Sequence, residues 1–253
     1  MIKVMICGVL GKMGTKVMDA CFEDKNIEVV AGIDQQDGML ANIPIYKTIS
    51  DCKNECNVVI DFSNPALTKD ITDYCRTTKT ALVMCTTGHS EQQTELIRRL
   101  ADDVAVFSSA NMSLGIALVK ALAKKAAAVL HNDFDIEIVE RHHNRKLDAP
   151  SGTAMMLANE INSALGGQCD YVYDRHAVRQ KRDKKEIGMH AIRGGTIVGD
   201  HDIIFAGNDE LITLSHSAAS RTVFAMGAIN AVRFIIKQPP GLYNMDSIMT
   251  GLV

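Results

Sequence analysis

The residues best equipped for chemistry lie in one stretch, E-R-H-H-N-R-K-L-D-A-P-S-G-T-A, from Glu140 to Ala154. His142, His143, Arg145 and Lys146 can hold positive charge, and the histidines and the lysine can also move protons near neutral pH. Pro150, Ser151, Gly152 and Thr153 then open a helix. A helix start built from small residues leaves backbone N–H groups facing outward, and the macrodipole favours an anion there. The stretch reads as a pocket for an anion that also needs a proton. Each half alone also fits a solvated basic turn or an ordinary helix cap. Their adjacency, and a nucleotide-site pattern at the other end of the chain, favour the chemical reading.

That second pattern is G-V-L-G-K-M-G, with Gly8, Gly11 and Gly14. It follows the apolar run Ile2–Cys7 and precedes a helical face of Met13, Val17, Met18, Cys21 and Phe22, so the glycines lie at a strand-to-helix turn. In that context glycines let a pyrophosphate approach the backbone at a helix N-terminus. Leu10 stands where the G-x-G-x-x-G pattern has its second glycine, leaving the close approach to Gly8 and Gly11. Asp34 ends the next apolar run, Ile27–Ile33, twenty residues beyond Gly14, where an acid would hold a ribose hydroxyl. Taken alone, Asp34 also fits a solvated turn beside Gln35, Gln36 and Asp37.

To position these groups the chain alternates strand and helix. Strands are expected at Val58–Phe62, Ala81–Met84 and Val104–Phe107, with helices at Pro65–Arg76 and Glu91–Ala101. Alternation of this kind gives a parallel sheet, a Rossmann-type α/β domain. Two strands end in small polar runs, C-T-T-G at Cys85–Gly88 and S-A-N-M-S at Ser109–Ser113, which suit a ligand lying across the carboxyl edge. A long helix over Leu114–Leu130 then carries Leu118, Leu122, Ala126 and Val129 on one face. The rhythm changes beyond it. Asp135–Glu140 alternates as a strand, and a helix after residue 151 turns Ala154, Leu157, Ala158, Ile161 and Leu165 inward. Strand-like runs follow at Asp170–Tyr173, Gly188–Arg193, Asp202–Ala206 and Leu211–His216, an α+β domain with an open mixed sheet. The charged run Arg175–Glu186 is expected to be a mobile surface loop, with anion binding as the alternative. Arg221–Ile236 forms a last helix that returns to the first domain. The expected domains are residues 1–113 with 222–253, and residues 114–221.

Composition bounds the rest. The 253 residues are 47% hydrophobic, enough to fill a core, and a net charge of −3 gives no overall pull toward nucleic acid or membrane. The N-terminus has no secretory h-region and no apolar stretch reaches a membrane span, so the expected location is the cytoplasm. Seven irregularly spaced cysteines read as reduced thiols. Cys52, Cys56 and His89 lack metal-ligand spacing, and no metal is expected.

The motifs G-x-x-G-x-M-G, V-x-I-D-F-S at 58–63, T-T-G at 86–88, A-N-M-S at 110–113, E-x-H-H-x-x-K-x-D-A-P-S-G-T-A and R-x-G-x-I-V-G-x-H at 193–201 together resemble the dihydrodipicolinate reductase family over nearly the whole chain. The resemblance implies a homotetramer that reduces 4-hydroxy-tetrahydrodipicolinate, a small dicarboxylate, to tetrahydrodipicolinate in lysine and diaminopimelate biosynthesis, using NADH or NADPH. It implies cofactor contacts from Gly8, Val9, Leu10, Gly11, Lys12, Met13, Asp34, Cys85, Thr86, Thr87, Ser109, Ala110, Asn111 and Met112. His142 becomes the proton donor or acceptor, Lys146 a second donor, and His143, Ser151, Gly152 and Thr153 the substrate contacts. Two positions depart from the family pattern: Cys85 replaces the first glycine of G-T-T-G, where it could crowd the nicotinamide, and Gln35 replaces an arginine that some members have. Asp34 with Gln35 favours NADH, because nothing at position 35 offsets the acid against a 2′-phosphate. The competing readings are another nicotinamide-dependent reductase of a small acid, and a dinucleotide-sensing protein without catalysis.

Overall fold

A computed structural model describes residues 1–250. They divide into two compact units, Met1–Ser113 with the chain from Arg221 onward, and Leu114–Ser220.

The first unit begins with strand β1 (Ile2–Cys7), helix α1 (Lys12–Glu23) and β2 (Ile27–Ile33), then the short strands β3 (Gly38–Leu40) and β4 (Ile43–Tyr46). After β5 (Val58–Asp61) come α2 (Thr68–Thr78), β6 (Ala81–Met84), α3 (Glu91–Leu100) and β7 (Ala105–Ser108). The second unit holds α4 (Leu114–Leu130), β8 (Asp135–His142), α5 (Gly152–Ala164), β9 (Asp170–Val172), β10 (Glu186–Arg193), β11 (Gly199–Ala206) and β12 (Leu211–Ala218). The chain then rejoins the first unit with α6 (Thr222–Ile235), β13 (Gly241–Tyr243) and α7 (Met245–Thr250).

The first sheet runs β13-β7-β6-β5-β1-β2-β4-β3, parallel except where β3 meets β4. Its central strands are apolar on both faces because helices cover both, and β5 is buried at every position. Fully buried Ile60 and Leu82 each contribute about 1.5–3 kcal/mol by leaving water. The chain steps outward from β1 to β2, then returns to the other side of β1 as β5, which opens a crevice between the carboxyl ends of β1 and β5. Helix α6 packs on α1 and β6, and its Arg233 pairs with Asp24 at 2.6 Å, joining the ends of the unit. The sequence did not signal β3, β4 or β13, which are three or four residues long. The helix expected from Pro65 starts as a single 3-10 turn, Pro65–Leu67, before α2. On α1, Val17, Met18 and Cys21 are buried, whereas Phe22 is exposed.

The second sheet runs β12-β11-β8-β10-β9, with β8, β9 and β10 parallel and β11 antiparallel to both its neighbours. Helices α4 and α5 pack together, and their buried residues share one core with Ile136, Ile138, Ile187, Ile203 and Phe205. Along β8 burial alternates strictly, so Glu140 and His142 share the inward face with Ile136 and Ile138.

Two expectations about this unit change. The α4 residues that sink into the core are Ile116, Ala117, Val119, Ala123 and Ala127, while Leu118, Leu122 and Val129 are 49%, 44% and 74% exposed. The smaller side chains allow close approach to α5, and the larger ones are left outside. The segment Arg175–Glu186 is tied down: Arg182 donates to Glu137 and Asp135, both at 3.1 Å, and to the Ile136 carbonyl at 3.0 Å, while Arg175 reaches Glu186 and Glu137. Those guanidinium groups are already matched by carboxylates and carbonyls of β8 and β10.

Candidate active site

At the carboxyl edge of the first sheet, Gly8 takes φ +77°, and a Cβ there would lie 2.5 Å from the Phe62 carbonyl oxygen. A Cβ on Gly14 would run into the Gly8 carbonyl. Glycine at both positions is therefore what lets the turn pass between β1 and β5. Gly11 caps α1 without a side-chain acceptor, so the first N–H groups of α1 keep the helix-start character that suits a pyrophosphate. Leu10 and Gly11 are exposed and Val9 is buried. Asp34 accepts hydrogen bonds from the Leu10 N–H and the Gln35 N–H, each at 2.8 Å, which pins its carboxylate against the glycine turn. Lys12 is exposed and Met13 half-buried on the first turn of α1.

Across the crevice β5 ends at Asp61, and Cys85 and Ser109 directly follow β6 and β7. Asp61 is buried, one oxygen engaged by Ser63 and the other without a hydrogen-bond partner among the described residues. Burial raises its carboxyl above the usual range, against hydrogen bonds from Ser63. The Cys85 side chain is 7% exposed with its thiol toward the Val83 carbonyl at 3.9 Å, so it packs inward. Burial, with the Asp61 charge beside it, pushes that thiol far up, which removes nucleophilic character. Thr86 is half-buried and Thr87 exposed. Ser109 donates to the Asn111 carbonyl at 2.8 Å, Asn111 accepts from the Ser113 N–H at 2.8 Å, and Ala110 is exposed. Met112 is buried, and its carbonyl fills the space a side chain at Gly227 would need. The glycine cradle, the α1 start and the pinned Asp34 fit the phosphates and ribose of a dinucleotide.

In the second unit, sheet register assembles a separate cluster of titratable groups. Arg193 on β10 lies beside His142, and His201 on β11 opposes Glu140. His142 Nδ1 is 2.6 Å from Glu140 Oε2. Glu140 is fully buried, and Arg193 grips both its oxygens at 2.7 and 2.8 Å while the Ser151 N–H donates to Oε1 at 2.9 Å. Burial works against its charge, but Arg193, His142 and the Ser151 N–H outweigh it and hold the carboxyl below the usual range. The His201 ring meets the His142 ring edge-on at 5.3 Å, and its Nε2 lies 3.1 Å from Ser151 Oγ. Ser151 also caps α5 by accepting from the Ala154 N–H at 3.1 Å.

The substrate-side residues separate into two groups. His142 and Ser151 are buried, and the Ser151 hydroxyl is spent on the cap and on His201. His143, Lys146 and Thr153 are half-buried, and Gly152 is exposed at the first position of α5. Lys146 Nζ pairs with Asp148 at 2.9 Å. The sequence reading named no role for Glu140, Arg193, His201 or Asp61. The signal for three of them was present in the spacing of E-x-H and R-x-G-x-I-V-G-x-H, but a role needs the register that brings three strands together.

Buried His201 gives a pH test. Burial, helped by the neighbouring His142 charge, lowers His201 from 6.5 to about 4, so it is neutral when folded. The unfolded chain binds that proton more readily, so stability falls as pH drops below the unfolded value toward the folded one. The loss is on the order of 2 kcal/mol between pH 7 and pH 5. Urea midpoints across that range are expected to flatten in His201→Gln; an unchanged slope would show that another group titrates. The second test uses Gly152, where an added Cβ meets nothing within 4 Å. Gly152→Val is expected to leave the melting temperature nearly unchanged and to raise the substrate Michaelis constant about tenfold or more by covering charge-assisted N–H contacts. An unchanged Michaelis constant would remove the α5 start from the site.

Comparison with known proteins places these two ends in one family. The dihydrodipicolinate reductase N-terminus model matches residues 2–112, and the dihydrodipicolinate reductase C-terminus model matches residues 115–249. The chain belongs to the dihydrodipicolinate reductase family. It is 46% identical to the 4-hydroxy-tetrahydrodipicolinate reductase of Clostridium tetani, covering 99% of this chain and 98% of the relative. It is 47% identical to the enzyme of that name from Caldanaerobacter subterraneus, over 98% of each chain. Among solved structures, a dipicolinate-bound dihydrodipicolinate reductase from Paenisporosarcina sp. TG-14 has a TM-score of 0.82 at 25% identity, over 96% of this chain and 97% of that one. A diaminopimelate dehydrogenase of C. glutamicum shares the fold, with a TM-score of 0.60 at 13% identity over 96% and 92%. As a dihydrodipicolinate reductase the chain is an NAD(P)H-dependent oxidoreductase, and its N-terminal unit is the dinucleotide-binding domain. Among the described residues no helix is long and apolar enough to cross a membrane.

Proposed function

We propose that this chain reduces 4-hydroxy-tetrahydrodipicolinate to tetrahydrodipicolinate in lysine and diaminopimelate biosynthesis, with His142 as proton donor and Lys146 as a second donor. In the overall reaction one hydride and one proton enter, and water leaves with the product. The reduced nicotinamide supplies the hydride when bound. His142 protonates the ring or the departing hydroxyl from Nε2, and the Lys146 charge stabilises the electron-rich ring as protonation proceeds. Gly152 and Thr153 at the α5 start, with His143, take a substrate carboxylate and hold the ring in register. Gly8 to Met13, Asp34, Cys85 to Thr87 and Ser109 to Met112 hold the cofactor, Cys85 and Met112 through their backbone. The observation that carries this reading is the His142–Glu140 contact of 2.6 Å beside the start of α5, in a chain of this family.

A coupled assay with freshly made substrate and each reduced nicotinamide tests it. Turnover is expected with this substrate; turnover only with a different small acid would assign another reductase activity. Cofactor binding with no turnover on any such acid would assign a sensor. On this reading the enzyme acts in the cytoplasm as a homotetramer, and self-association is supported by the exposed Leu118, Leu122 and Val129 on α4 and Leu211 and Ile212 on the edge strand β12. Light scattering at assay concentration checks the mass.

A further inference from the structure

The acid behind His142 is fully buried, yet three polar groups from three elements converge on it. Glu140 is 0% exposed, and both its oxygens are occupied by Arg193, the Ser151 N–H and His142. We propose that Glu140 is the positioning residue of this enzyme: it fixes the ring and tautomer of His142 so that Nε2 is the reacting nitrogen. The proposal rests on the reading of His142 as the proton donor.

The argument starts from the ionisation of Glu140, which Arg193 secures with a two-pronged contact. An ionised carboxylate can only accept hydrogen bonds. Nδ1 of His142, 2.6 Å away, must therefore carry a hydrogen in both the neutral and the charged ring. The proton that comes and goes is then on Nε2. That nitrogen lies where Gly199 has no side chain: a Cβ there would stand 3.0 Å from it. The same carboxylate accepts from the Ser151 N–H, and Ser151 caps α5. One buried group thus holds both the proton donor and the residue that begins the anion-binding helix. Arg193 also donates to the Asp148 carbonyl at 2.6 Å, so the clamp extends to the turn carrying Lys146.

A pH readout separates positioning from bulk. The charged and titratable groups facing His142 are Glu140 on its own strand, Arg193 on β10 and His201 on β11, with Asp200 and His216 acting on His201; α5 contributes the uncharged Ser151. Glu140→Gln removes the negative member and leaves Arg193 uncompensated, and both changes make His142 release its proton more easily. The alkaline limb of the kcat profile should move to lower pH.

The experiment uses the full chain with nitrogen-15 histidine, with His142→Gln identifying the signal. In the wild type, neutral His142 is expected to carry its hydrogen on Nδ1; a hydrogen on Nε2 overturns the proposal without any variant of Glu140 needing to fold. In Glu140→Gln, kcat is expected to fall about tenfold or more, with NADH binding unchanged, the alkaline limb shifted down, and partial recovery in Glu140→Asp. The double variant should have a kcat no lower than His142→Gln alone, since Glu140 reaches the proton transfer through that ring, while loss of its contact with the Ser151 N–H is read in the substrate Michaelis constant. Multiplying losses would assign Glu140 a separate role and sink the idea. Wild-type turnover by Glu140→Gln beside an inactive His142→Gln sinks this inference alone. Full turnover by His142→Gln sinks the proton-donor reading and this inference with it.

Discussion

His142→Gln and Lys146→Ala are each expected to lower turnover about 100-fold or more, the scale of a lost general acid. The two side chains are held differently, and the difference shapes the result. His142 is fixed by a buried contact with Glu140, so glutamine in its place leaves a neutral amide that fills the space but has no proton to give at neutral pH. Among the described residues the Lys146 ammonium pairs with Asp148, whose side chain is 57% exposed, and an ion pair screened by water contributes little. It can leave that partner for a substrate at small cost, so Lys146→Ala removes a charge from the reaction and almost nothing from the fold. Dinucleotide titrations should be unchanged in both variants, because neither residue belongs to the first unit. Single-turnover rates with saturating NADH decide the matter. Near-normal rates in both variants would remove the proposed proton donors, and a large rise in the NADH dissociation constant would show that the loss is not chemical.

The legible parts of this chain are those governed by local rules. The glycine turn, the apolar central strands and the start of α5 each depend on a few neighbouring residues, and the sequence states them directly. Family motifs extended that reach to residues far apart in the chain. What escaped depends on distant partners. Arg182 looked like part of a mobile charged run because the carboxylates that hold it, on Asp135 and Glu137, lie some 45 residues earlier. Leu118 and Leu122 looked like the buried face of α4, yet helix packing selected the smaller Ala123 and Ala127 and left the leucines outside. Short strands such as β3 and β13 have too few residues to show a period.

The same distinction applies inside the site. Ser151 stands within a motif that reads as substrate contact, and the structure adds two partners for its hydroxyl, the Ala154 N–H of the helix start and His201. Cys85 stands where the family pattern has glycine, and its side chain turns into the core and not outward toward a ligand. A motif gives the identity of a residue near a site. The direction of its side chain follows from packing, which the alternation along a strand or the depth of a helix start decides.

Cofactor choice is where a single side chain is expected to have the next largest effect. Both oxygens of Asp34 accept backbone N–H bonds at 2.8 Å, one from Leu10 in the glycine turn and one from Gln35. Each carboxylate oxygen still has a lone pair for a ribose hydroxyl, so the pinned acid suits both hydroxyls of NADH. Pinning also means that it cannot swing aside for a 2′-phosphate without giving up bonds to charged oxygen worth about 1.5–3 kcal/mol each. Gln35 is exposed and adds no positive charge, and Lys16 on α1 is paired with Asp19 at 3.2 Å. Lys12 is exposed, and with salt it screens part of the repulsion. The expected outcome is a preference for NADH of about tenfold in kcat/KM, equivalent to about 1.4 kcal/mol, and not an absolute exclusion of NADPH. Gln35→Arg should raise kcat/KM for NADPH and leave that for NADH nearly unchanged, because a guanidinium at the end of β2 can meet the added phosphate. The specificity constants of both cofactors, measured in wild type and variant at two salt concentrations, test the electrostatic account. A wild-type enzyme that favours NADPH by about tenfold would show that Asp34 does not set the choice, and no gain for NADPH in the variant would put position 35 out of reach of the phosphate.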